Sequence, residues 1–189
     1  MADRDIIQER GRSLEDDYFR KKDRELIEKI QRAAESDRAR ADIGRAAGLT
    51  DPALAGELQA LGFTAETVAL LPLVPVLQMA WAEGGITAAE RGLLVHLARS
   101  RGIAEGSTAD VQLTAWMTNR PSEDVFAGAG RLIRAMLDSG ASPGLNAEDL
   151  VAHCESIASA SGGVFGIGRI SGEERKLLSS IAEALASKK

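Results

Sequence analysis

Two stretches of the chain nearly repeat each other: Ile86-Thr87-Ala88-Ala89-Glu90-Arg91-Gly92-Leu93-Leu94 and Ile170-Ser171-Gly172-Glu173-Glu174-Arg175-Lys176-Leu177-Leu178. Each follows a small-residue Gly-Gly segment, Ala82-Glu83-Gly84-Gly85 in one case and Ala160-Ser161-Gly162-Gly163 in the other. An internal repeat constrains architecture before any single residue does, because each copy is one supersecondary unit that must bury its apolar face against a neighbour. The pattern predicts two related helix–loop–helix halves in one helical domain. Thr87-x-x-Glu90 and Ser171-x-x-Glu174 also carry capping-box spacing, in which the hydroxyl accepts from the N3 amide and the glutamate reaches back to the N-cap amide. Stability alone would therefore explain both glutamates.

Cap and turn signals divide the rest of the chain into successive helices. Asp51-Pro52 is a cap followed by proline at the first helical position. Thr64 is expected to open a helix that Pro72 and Pro75 bend or break. Thr87 opens one running to about Arg101, Ser107 or Thr108 another through Met117, and Pro121-Ser122 a third over Glu123 to Asp138. Ser139-Gly140 and Ser142-Pro143-Gly144 mark a loop, Asn146 starts a helix through Ile157, and Ser171 starts the last. No stretch alternates at period two, so no sheet is predicted. With aromatic residues at 4% of the chain, Leu, Ile, Val and Ala must build the core.

Composition changes near residue 45. Residues 1–45 hold twelve Lys/Arg and twelve Asp/Glu, whereas the remainder holds eleven and sixteen, so the body carries the whole net charge of −5. The domain boundary is placed there: a charged helical arm over 1–45 and an all-helical domain over 46–189. Within the arm, Ser13 reads as an N-cap and Gly11 as an interruption before it. Apolar residues recur at Leu14, Tyr18, Leu26, Ile30 and Ala33 or Ala34, with Phe19 and Ile27 beside them, a narrow stripe on an otherwise charged helix. A helix from about Ser13 to Glu35 would be roughly 33–35 Å long. Its stripe must be covered, either by the body, by a copy of itself or by another protein. Leu14, Tyr18, Phe19, Leu26 and Ile30 are therefore the candidate partner-binding residues, together with Phe165 at the apolar tip of the glycine loop 162–169.

Several chemistries are excluded or disfavoured. An acidic chain with pI near 5.2 carries no nucleic-acid footprint, which would be a basic face. The most apolar run, Val68 to Ala82, is shorter than the ~20 residues of a membrane span. One cysteine, Cys154, makes no intrachain disulfide, and the opening Met-Ala-Asp-Arg-Asp lacks the apolar core of a signal peptide, so a cytoplasmic location is expected. His96, His153 and Cys154 have no metal-ligand spacing and no nucleophile–base pattern, and the chain is read as no enzyme. An EF-hand counted back from Glu90 would put Met79 and Trp81 at its first two ligand positions, where neither side chain supplies oxygen. The glycine loop fits neither phosphate-binding fingerprint. Trp81 and Trp116 are expected in the core, and Arg131 and Arg134 on a solvated helix edge.

On the residues Ala82-Glu83-Gly84-Gly85-Ile86-Thr87-Ala88-Ala89-Glu90 and their second copy, about residues 64–187 resemble the TerB-like tellurite-resistance family. Glu83 stands where that family has aspartate, and Ser161 where it has an acid. The resemblance implies an all-α compact bundle of about seven helices with an internal pseudo-twofold repeat, helix packed on helix around one core. It also implies a non-enzymatic interaction, scaffold or stress-response module, with a divalent cation held weakly on an acidic patch. Carried onto this chain, the cation ligands would be Glu83, Glu90, Glu173 and Glu174. The arm, through Arg12-Ser13-Leu14-Glu15-Asp16-Asp17-Tyr18-Phe19 and Asp23-Arg24-Glu25-Leu26, is similar to the charged helix of bacterial ATP-synthase inhibitor subunits. That likeness implies a regulator acting through its N-terminal helix on a larger complex.

Overall fold

The computed structural model describes residues 2–140, 145–160 and 170–186, with side chains described from Tyr18 onward and not at Ser139. Every regular element among the described residues is helical. The chain divides into two compact units, 1–39 and 40–189.

Helix α1 spans Ala2–Ala47 without a break. Neither Ser13 nor Gly11 interrupts it. A single helical glycine costs only about 1 kcal/mol relative to alanine, which the flanking helix formers offset. At 1.5 Å per residue, its 46 residues extend about 69 Å, twice the length the sequence predicts. The division between units falls inside this helix, ahead of the composition change at residue 45. In the first unit the described side chains are almost all exposed; in the second, Ile43 on the last turns of α1 is buried.

The second unit holds seven further α-helices among the described residues: α2 (Pro52–Ala60), α3 (Val74–Ala80), α4 (Ala88–Ser100), α5 (Thr108–Thr118), α6 (Glu123–Ser139), α7 (Ala147–Ala160) and α8 (Gly172–Leu185). The starts follow the predicted caps. Asp51 accepts from the Ala53 amide at 2.8 Å, Ser107 from the Asp110 amide at 3.2 Å and Asn146 from the Glu148 amide at 2.8 Å. The helix expected from Thr64 is instead a turn over 64–67, where Thr64 donates its amide to the Thr67 hydroxyl, followed by a 3-10 segment, Val68–Leu73. Pro72 lies inside that segment and has no N–H to continue an α-helical ladder from Val68. Pro75 sits in the first turn of α3, where the missing donor costs nothing.

The run that looked most membrane-like is the centre of the fold. Val74, Pro75, Val76, Leu77, Met79 and Ala80 of α3 are all buried, and a helix apolar all round belongs in a core. Helices α4, α6, α7 and α8 pack around it. From them come Leu94, Phe126, Leu132, Ile133, Leu150, Ile157 and Leu185, all buried. No described helix is long and apolar enough to cross a membrane.

Candidate functional site

The repeated corners take the same local form. At the first, the Thr87 amide donates to Glu90 Oε2 at 2.7 Å and the Glu90 amide to Thr87 Oγ1 at 3.3 Å. At the second, the Ser171 amide donates to Glu174 Oε2 at 2.7 Å and the Glu174 amide to Ser171 Oγ at 3.1 Å. The N-cap residues share an extended backbone, φ −69° and ψ 165° at Thr87 against φ −62° and ψ 163° at Ser171. Glu90 and Glu174 are only 2% and 1% exposed. Around them the packing is crossed: α3 lies on α7, while α4 meets α7 and α8 meets α3.

The first corner is tied to α5. Trp81 Nε1 donates to the Trp116 carbonyl at 3.0 Å, and Arg91 donates to the Met117 carbonyl at 3.2 Å. Trp116 in turn stands edge-on to Phe63, ring centroids 5.8 Å apart. Both tryptophans are half-buried against the core. Gly84, at φ +85°, makes the turn between Trp81 and Thr87 in a conformation that a β-carbon would strain.

The four acids proposed for a cation do not assemble. Glu83 and Glu173 are exposed, and Glu90 and Glu174 each commit one carboxylate oxygen to their own N-cap amide. Among the described residues, no three His, Cys, Asp or Glu side chains are placed to hold a metal ion. A hard cation takes six to eight oxygen ligands, and this donor set does not fit one.

The single cysteine sits in the core. Cys154 is buried, and loss of solvent, aided by the nearby Glu155 charge, pushes its thiol up to about 12. A thiol so raised stays protonated and unreactive at neutral pH. On the same helix His153 has a buried Nδ1 with no hydrogen-bond partner among the described residues. Burial first, then the Arg101 charge, lowers its pKa, with Asp149 opposing.

Two ties escaped the sequence reading. Arg99 pairs with Asp110 at 2.8 Å while the Gly106 amide donates to the other carboxylate oxygen at 2.9 Å. The amide bond, then Arg99, holds the Asp110 carboxyl below its ordinary range. The signal was present as Ser107-x-x-Asp110, capping-box spacing in which the shorter acid takes the Gly106 amide instead of the N-cap amide. Arg134, expected on a solvated edge, is half-buried. It pairs with Asp138 at 2.8 Å and donates to the carbonyls of Ala184 and Ala186 at the end of α8, where a cation complements the helix dipole. Only its i,i+4 pairing with Asp138 was readable in advance. Arg134 and the exposed Arg131 border a cavity of about 440 Å³ between α6 and α8, floored by Phe126, Leu177 and Ile181.

The partner-binding candidates fall in two groups. Tyr18, Phe19, Leu26 and Ile30, with Ile27, are each more than half exposed on α1. Leu14 lies on the same helix with its side chain outside the described residues, and Phe165 lies outside them altogether. No protein-family model, curated protein or solved structure matches the chain.

Proposed function

We propose that this protein is a non-enzymatic interaction module, a TerB-like helical body bearing an α-helical arm that docks a partner, either another protein or a second copy. The carrying observation is the row of exposed apolar side chains on α1, Tyr18, Phe19, Leu26, Ile27 and Ile30. Large apolar groups leave water favourably, by about 25 cal/mol per Å² buried, so a helix that presents five of them is matched to a binding partner. The two equivalent capped corners and their crossed packing support descent from a duplicated helix–loop–helix unit, the basis of the TerB-like resemblance. The arm's exposure equally supports action as a regulator of a larger complex, since an exposed helix with apolar side chains can dock on a neighbour.

The test is quantitative affinity capture with wild type and Ile30→Glu. A charge at that position leaves the core of residues 40–189 untouched. Proteins recovered with wild type and lost with Ile30→Glu are the expected result. Identical recovery, with self-association also unchanged by Ile30→Glu, would remove the arm from the function.

A further inference from the structure

Resting on the reading of α1 as an interaction arm, we propose that the partner of this helix is the α1 of a second copy, paired antiparallel about a centre at Tyr18 and Phe19. Five of the six large apolar side chains exposed among the described residues lie on α1, between Tyr18 and Ile30. The sequence around their N-terminal pair is antisymmetric in charge. Glu15-Asp16-Asp17 precedes Tyr18-Phe19, and Arg20-Lys21-Lys22 follows.

A twofold-symmetric contact must be complementary to itself, with each residue meeting a different residue of the copy. Antiparallel pairing with Tyr18 level with Phe19 of the copy satisfies this. Acid then comes level with base at Asp17 and Arg20, Asp16 and Lys21, Glu15 and Lys22, Arg12 and Glu25, and Asp5 and Arg32. Successive helical residues point about 100° apart, so Glu15 and Lys22, at positions on the Tyr18–Leu26 side of the helix, form the pair at the seam and the other levels act at longer range. Each opposition occurs twice. The one like-charged level is Glu9 with Glu28. Ile7 comes level with Ile30, and Leu26 with Gly11, where the absent side chain leaves room for a bulky neighbour. In-register parallel pairing would instead set every charge against its own kind, which is strongly unfavourable across an interface. The equal count of twelve acids and twelve bases in residues 1–45 removes net repulsion between two arms.

Sedimentation of the full chain across protein concentration tests the pairing. The expected result is a dimer that weakens as salt is raised, since these charges are exposed to screening. Reversing Arg20, Lys21 and Lys22 to Glu, or Glu15, Asp16 and Asp17 to Lys, should each weaken self-association at least about tenfold, and an equimolar mixture of the two variants should restore it. Orientation is read by disulfide cross-linking. Phe19→Cys lies at the centre and should cross-link, whereas Lys29→Cys is separated from its copy by about 32 Å along an antiparallel pair and should not. A monomer at all concentrations, indifference to both charge reversals, or efficient cross-linking through Lys29→Cys would overturn the proposal. A monomeric wild type that still loses captured proteins on Ile30→Glu would overturn the second copy as partner while leaving α1 an interaction arm.

Discussion

The two glutamates at the repeated corners show how a buried carboxylate is held by its own helix. Glu90 Oε2 accepts from the Thr87 amide at 2.7 Å in a site 2% exposed. Removing the acceptor with Glu90→Ala leaves that amide unpaired, at a cost of about 1–3 kcal/mol. Glu90→Gln keeps a carbonyl oxygen in the box and should cost less. Thr87→Ala removes the capping hydroxyl together with the γ-methyl of an exposed residue and should cost about 1 kcal/mol, a fall of about 2–4 °C in Tm for a chain of this size. Thermal unfolding of the three variants should rank Glu90→Ala below both others. Equal losses in Glu90→Ala and Glu90→Gln would give the carboxylate's charge, and not its acceptor, the leading role. Cys154 makes a second prediction at this scale. Its buried thiol, raised to about 12, should resist an aqueous disulfide reagent at pH 7.5 and react fully in denaturant; rapid labelling of the native protein would show that α7 opens.

Among the elements, α6 separates packing from propensity at two neighbouring glycines. A β-carbon on Gly128 would lie 2.6 and 2.8 Å from the Leu61 methyl carbons, whereas one on Gly130 meets nothing within 4 Å. Gly130→Ala should therefore gain up to about 1 kcal/mol of helix propensity. Gly128→Ala gains the same but must displace Leu61, and overpacking costs about 1–3 kcal/mol. Urea unfolding should place Gly130→Ala above wild type and Gly128→Ala below Gly130→Ala; equal values would mean that Leu61 rotates away freely. The starts of α2, α4, α5, α7 and α8 were legible in the sequence because each begins at a side chain that itself makes the cap bond, and such chemistry is local. The 3-10 segment at Val68–Leu73 was not, because Pro72 signals a break without specifying which ladder replaces the α-helix, and Val68, Leu70, Leu71 and Leu73 are buried among residues distant in sequence. The continuation of α1 through Gly11 was misread for a related reason: one glycine is a weak stop signal when helix formers flank it on both sides. Arg134 was misread because its carbonyl partners lie on α8, distant in sequence. Of the residues proposed for function, the exposed face of α1 followed from the charge around it, whereas the failure of the four acids to converge depends on tertiary placement that no spacing encodes.

Over the whole molecule, stability has a pH dependence with a definite sign. The folded-state pKa of His153 lies below its ordinary value of 6.5, so the unfolded chain takes up that proton first as pH falls. Its contribution is complete above about pH 6.5 and is lost as the pH drops through the lowered folded-state value. Between about pH 7.5 and 5, the urea midpoint of wild type should fall further than that of His153→Gln; parallel losses would assign the acid sensitivity to other groups. The division of the chain makes the last prediction. Every buried core side chain among the described residues lies between Ile43 and Leu185, within the unit 40–189. A chain of residues 40–189 should therefore unfold cooperatively by itself. Cutting at 46, where the composition changes, removes Ile43, which is 2% exposed, and Gly44, whose carbonyl accepts from the Leu49 amide at 2.8 Å. Loss of a buried isoleucine alone costs about 2–5 kcal/mol. Calorimetry should thus show residues 46–189 less stable than 40–189 by at least about 2 kcal/mol. Equal stability would move the structural boundary to the composition change and make the last turns of α1 part of the arm.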